Sequence, residues 1–248
     1  MPESRNPNQK SQKQQATKSN FTFIESFIAL TLTTFVIFFI FFANNLAKQN
    51  NIKSLITQIG QYNSAIATFS EKYHALPGDM NNTVAYGITK LNTDGNSDNS
   101  ITDLLGEISQ ANGEIINFWH HLSKSGMINK NFDGKENEYA TIGESFPLNP
   151  IGEKNGIVSF SFEGKTFYQV GLKAVDKKQM HMANVLKTSE AFLLDQKIDD
   201  GNPTTGIVVA AGSKILNSLT NKECVKFNEY DQSNIKPVCQ IRIEIRSK

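Results

Sequence analysis

The sequence predicts an α+β protein in which a long N-terminal transmembrane and amphipathic helix packs on an antiparallel sheet. Three observations carry this. Residues 21–42 read FTFIESFIALTLTTFVIFFIFF, with 15 of the 22 being Phe, Ile, Leu or Val. A one-faced apolar stripe at steps of three and four follows, the pattern of an amphipathic helix. After Gly152 the pattern changes to the period-two alternation of strands.

The bulk numbers leave room for one core plus an extra segment: 248 residues, 39% hydrophobic and 20% charged, lie within the globular range. A formal charge of +1 makes no case for a nucleic-acid partner. Residues 1–20 hold four Lys/Arg against one acid, leaving 21 basic and 23 acidic residues, a net −2, on the remainder. The two cysteines, Cys224 and Cys239, form no CxxC and have no neighbouring His, which argues against zinc. They pair if the domain lies outside the cytoplasm; the alternative is two unpaired thiols.

As a helix at 1.5 Å per residue, residues 21–42 span roughly 33 Å, the thickness of a bilayer core. Apolar insertion gives roughly 6 kcal/mol against about 3 for one buried acid, so the segment inserts despite Glu25. The run is too long for a cleaved secretory signal, and Phe41 stands where a small residue would precede Ala43. Lys10, Lys13 and Lys18 place the leader in the cytoplasm. The chain therefore divides into a basic leader (1–20), a transmembrane helix (21–43), its amphipathic continuation (44–76) and a periplasmic or extracellular head (77–248). Glu25, one turn inside the helix, either reaches back to the headgroups or meets a partner.

Ile52, Leu55, Ile56, Ile59, Tyr62, Ile66, Phe69 and Tyr73 continue the helix on one face, to about 80 Å in all at 1.5 Å per residue. Pro77-Gly78 then stops it. The polar stretch 88–100 reads as a loop. Within it Asp94, Asn96 and Asp98 place oxygens at alternate positions, as in a calcium loop, but Asn99 and Leu105 replace the Gly and Glu such a loop needs. Calcium and a plain solvated turn both fit. A second helix is expected over 104–122, with Gly126 as its stop. His120 and His121 within it diverge by about 100° and cannot chelate together, so they read as core and surface histidines.

Strands are expected at 157–162, 166–170, 206–210 and 241–245, with Glu163-Gly164-Lys165 as a tight hairpin. Their apolar faces need the helix stripe as cover. Acids, Gly and Pro over 194–206 make a turn before a strand, where Asp195, Asp199 and Asp200 either hold a cation or are solvated. No GxSxG, HExxH, phosphate-binding loop or dinucleotide glycine pattern is present, so no enzyme is expected.

The Lys-containing leader followed by Phe21-Thr22-Phe23-Ile24-Glu25 and an unbroken apolar helix resembles the prepilin signature of type IV pilin-like proteins, including type II secretion pseudopilins and minor pilins. Tyr73-His74-Ala75-Leu76-Pro77-Gly78-Asp79-Met80 and the phrase from Leu194 to Gly206 resemble segments of a bacterial subgroup of that family. The resemblance implies cleavage between Asn20 and Phe21 by a membrane-embedded prepilin peptidase and N-methylation of Phe21. It also implies that Glu25 neutralises a neighbouring subunit's amino terminus during assembly, and that Cys224 and Cys239 close a C-terminal disulfide loop. Partners would then be the peptidase, other pilin or pseudopilin subunits and inner-membrane lipid, with no cofactor required. The chain would be a single-pass inner-membrane protein, N-terminus cytoplasmic and head periplasmic, or part of a surface filament. The family has Gly where this chain has Asn20. Either the peptidase tolerates Asn20, or the chain is an unprocessed membrane-anchored periplasmic binding or adhesion module.

Overall fold

A computed structural model describes residues 22–88, 94–152, 154–211 and 223–246. The chain divides into two compact units, Met1–Leu46 and Ala47–Lys248, and helix α1, Phe23–Tyr73, contributes to both. In the first unit every described side chain from Thr22 to Asn44 is exposed. This part of α1 is long and apolar enough to cross a membrane.

In the second unit the stripe is one-sided. Ile52, Leu55, Ile59, Ile66 and Phe69 are buried while Lys53, Gln61, Ser64 and Thr68 stay exposed. Burying each large apolar side chain contributes about 1.5–3 kcal/mol, which holds this length of α1 against the rest of the unit. α1 ends at Tyr73, a turn before Pro77. His74 takes a left-handed conformation (φ 54°) and its N–H donates to the Ser70 carbonyl at 2.9 Å, the usual way a helix satisfies its last carbonyls.

The head is built on a six-stranded antiparallel sheet. β1 (Gly156–Phe162) pairs with β2 (Lys165–Asp176), β2 with β8 (Pro237–Glu244), and β8 with β5 (Val208–Ala211) and β4 (Leu186–Lys187). β3 (Gln179–Met182) pairs with the far half of β2. β6 (Val225–Lys226) and β7 (Glu229–Tyr230) form a separate ribbon. Phe162 faces Lys165 across the turn Glu163-Gly164, both left-handed at φ 50° and 74°, so the expected hairpin forms.

Cross-strand partners share a face. Tyr168, Ile243 and Val208 form one such row, and Val170, Ile241 and Ala210 the next; all six are buried. This face meets α1, since the Tyr168 hydroxyl donates to Asn63 Oδ1 at 3.0 Å. Trp119 of helix α2 (Glu114–Lys124) lies between them, 4.9 Å from the Tyr62 ring centroid and 6.1 Å from that of Tyr168. Helix-on-sheet packing of an α+β fold is therefore observed within the head.

The second helix is shorter than its spacing suggested. Residues 103–110 form a turn because the buried Asp103 carboxylate accepts the N–H groups of Leu105, Glu107, Ser109 and Gln110 at 2.9–3.3 Å. Leu104 and Leu105 end up exposed. Neither histidine of α2 is at the surface. His121 Nδ1 accepts the Gly78 N–H, and His120 Nδ1 donates to the Phe132 carbonyl, both at 2.9 Å. The phrase read as a turn from residue 194 begins inside a third helix, α3 (Thr188–Ile198).

Candidate functional site

The expected processing residues Asn20 and Phe21 lie outside the described residues. Glu25 is described, and it has a partner inside its own chain. The Thr22 N–H donates to Glu25 Oε2 at 2.9 Å, the Glu25 N–H reaches Thr22 Oγ1 at 3.4 Å, and the Thr22 carbonyl accepts the first helical bond from Ser26 at 3.1 Å. This is a capping box, Thr-x-x-Glu, which satisfies the free N–H groups at the start of α1. The Thr-x-x-Glu spacing of Thr22 and Glu25 is itself a sequence signal for such a cap.

In the head, the Pro77-Gly78-Asp79 segment docks on α2 and on the loop over residues 94–102. Gly78 has φ +91°, and a Cβ there would lie 2.6 Å from the Glu114 carbonyl oxygen, so no other residue fits without displacement. Gly95 is equally constrained, because a Cβ would lie 2.3 Å from the Asp79 backbone. The Asp79 carboxylate accepts the N–H groups of Asp98 (3.0 Å) and Asn99 (2.9 Å). Glu114 accepts those of Asn96 and Thr102, both at 3.0 Å. The loop is thus held by two buried acids from outside it.

The calcium set expected at Asp94, Asn96 and Asp98 is not the set brought together. Asp94 Oδ1 is taken by the Thr83 N–H and hydroxyl at 2.7 and 2.6 Å, which holds its carboxyl below the usual range. Asn96 and Asp98 bond to each other. Asp98 instead joins Asp79 and Glu114, with ligand oxygens within 4.8 Å of one another. Burial pushes the Asp79 and Glu114 carboxyls up, against the amide bonds that lower them. Three oxygens at this spacing suit a hard cation, though backbone amides already serve two of the three groups.

A second carboxylate group, Asp195, Asp199 and Asp200, meets the same spacing. Here too the turn uses the acids itself. Asp199 Oδ2 accepts the N–H groups of Ile207 and Val208, and Asp200 Oδ2 accepts the Thr205 hydroxyl at 2.6 Å. Asp195 is buried; it accepts the Gly201 N–H at 3.1 Å and the Tyr230 hydroxyl at 2.8 Å. Burial pushes its carboxyl up to about 6.

Cys224 and Cys239 are bonded, with Cα atoms 5.1 Å apart, and both are buried. The bridge ties the β6–β7 ribbon to β8 while Tyr230 ties it to α3. Asp79 lies in the Tyr73–Met80 phrase, but its partners had no local signal, and neither did Glu114 or Tyr230, since each acts across the fold.

No protein-family model, curated protein or solved structure matches this chain. What is shown is a fold: a long helix with an apolar first part, whose later part packs on an antiparallel sheet to which a disulfide ties a two-stranded ribbon.

Proposed function

We propose that the chain is a membrane-anchored filament subunit of the pilin type, serving a type IV pilus or a type II secretion pseudopilus. Its first helical segment lies in the membrane, its head outside the cytoplasm, and its work is assembly, without a catalytic step or a required cofactor. The observation that carries this reading is the acid at the start of α1. Glu25 stands three residues past the cap of a 51-residue helix whose apolar residues as far as Phe42 are all exposed. A carboxylate so placed is expensive in lipid unless it meets an opposite charge. The capping box supplies an amide but no charge; the freed amino terminus of a neighbour's Phe21 would supply one.

A second reading draws on the same box. Because Glu25 is hydrogen-bonded without any neighbour, an unprocessed anchor carrying a periplasmic binding or adhesion head is also self-consistent. The variant Glu25→Gln separates the two, since it keeps an acceptor for the Thr22 N–H and removes the charge. The filament reading expects Glu25→Gln and Glu25→Ala both to abolish co-assembly while membrane insertion persists. Normal assembly by Glu25→Gln would overturn the charge-pairing mechanism and leave Glu25 a helix cap.

A further inference from the structure

Asn81 carries a sequence signal that assembly leaves unused. Of the chain's asparagines, only Asn20 and Asn81 stand two places before a Ser or Thr with a residue other than Pro between, since Pro203 bars Asn202. That spacing marks the acceptor for an N-linked glycan in an exported protein. The two sites differ. Asn20 precedes the apolar span and has Lys18 two places before it, whereas Asn81 lies in the head and has Asp79 there. Asp79-Met80-Asn81-Asn82-Thr83 therefore offers an acid on one side of the amide and a hydroxyl on the other. Both are groups by which a transferase can hold an extended peptide through strong hydrogen bonds.

The fold gives these residues opposite surroundings. Asn81 and Asn82 are exposed, and no described residue bonds the Asn81 side-chain amide. Asp79 and Thr83 are buried, and their side chains are already committed. Asp79 accepts the N–H groups of Asp98 and Asn99, and the Thr83 hydroxyl donates to Asp94 Oδ1 at 2.6 Å. The stretch is thus anchored at both ends while its middle faces outward. Val84 and Tyr86, three and five places beyond Asn81 in the short 3-10 turn that starts at Thr83, are 50% and 58% exposed. They add apolar and aromatic surface of the kind a sugar ring can cover.

We propose that Asn81 is a glycan acceptor and that transfer comes before the head folds. The donor is an oligosaccharide carried on a lipid pyrophosphate at the non-cytoplasmic face of the membrane. Asn81 Nδ2 bonds to C1 of the first sugar, the bond from C1 to the pyrophosphate oxygen breaks, and the amide proton leaves with the pyrophosphate. In the folded head the flanking acid and hydroxyl are out of a transferase's reach; in the emerging chain both are free. Closure of the loop over 94–102 on Asp79, and of Asp94 on Thr83, ends the window for transfer and leaves the glycan on an outward-facing stretch. The inference rests on the proposed function only in placing the head outside the cytoplasm.

The test is mass mapping of the full-length protein purified from its native membrane. The tryptic peptide over residues 73–90 is expected to carry a glycan mass on Asn81. That mass should be lost in Asn81→Gln, a change at an exposed position that leaves folding intact. Thr83→Ala should also abolish it and Thr83→Ser should retain it, whereas Asp94→Ala, which frees the Thr83 hydroxyl, should keep or raise the modified fraction. An unmodified Asn81, or a mass that persists in Asn81→Gln, would overturn the proposal, and loss of the glycan in Asp94→Ala would overturn the order of transfer and folding. Filaments built from unmodified subunits sink this inference alone. A glycan on Asn81 of a protein that never forms filaments sinks the filament reading and leaves the acceptor site standing.

Discussion

The two parts of α1 are the same secondary structure under different demands. From Phe23 to Phe42 the helix is apolar around its circumference and every side chain is exposed, whereas from Ile52 to Tyr73 only one stripe is apolar and that stripe is buried. The second part finds its cover in the sheet and α2. The first finds none among the described residues of its own unit, and it is long and apolar enough to cross a membrane. Apolar content therefore marks the first part as a candidate membrane span, and the arrangement of apolar residues marks the second as a core element.

This contrast breaks first under truncation of one aromatic in each part. Phe69→Ala, at a fully buried position, should destabilise the head by about 3–5 kcal/mol in chemical unfolding of the detergent-solubilised full-length protein. Phe35→Ala, at a position 63% exposed, should leave that transition unchanged. Equal losses from both would mean that the anchor is packed in the head's core. Next in size is the bridge. Replacing Cys224 and Cys239 with Ser should lower stability by about 3 kcal/mol, given a sequence separation of 15, with the loss confined to the head transition.

Both parts of α1 were legible in the sequence, because hydrophobic periodicity is a local signal that tertiary packing seldom reverses over fifty residues. The alternation of β1, β2, β5 and β8 and the Glu163-Gly164 turn were legible for the same reason. What failed was periodicity over short stretches. Leu104, Leu105 and Ile108 mimic a helix face, but Asp103 draws four backbone N–H groups onto one carboxylate, and a side chain that offers the backbone another partner defeats the helix. The helix α3 was hidden because the turn phrase that follows it dominates the reading of residues 194–206. The acid cluster at Asp79, Asp98 and Glu114 was out of reach, since Asp79 and Glu114 are 35 residues apart in sequence and meet only once the loop folds between them.

The smallest expected effect is in pH dependence. The Asp195 carboxyl sits at about 6 in the fold and near 3.9 when unfolded, so the native state holds a proton that the unfolded chain has released. Stability from this group is present at low pH and is lost as pH rises through about 6. Asp79 and Glu114, raised by burial, act in the same direction. The head should melt at a higher temperature at pH 5 than at pH 7, and Asp195→Asn should flatten much of that rise. Below about pH 4 the trend should reverse, as Asp94 and Asp133, both lowered, become protonated. Burial holds the His120 imidazole down, which opposes this rise as pH falls, so the decisive comparison is with Asp195→Asn: identical pH profiles for the two proteins would contradict the burial of Asp195.

The filament reading depends on a free amine at Phe21 to meet Glu25, and the intact mass of the protein purified from its native membrane tests that most directly. The expected result is a chain beginning at N-methylated Phe21, with residues 1–20 removed despite Asn20 at the cleavage point. A mass that includes Met1 would contradict it, leaving α1 an anchor whose acid serves only its own cap.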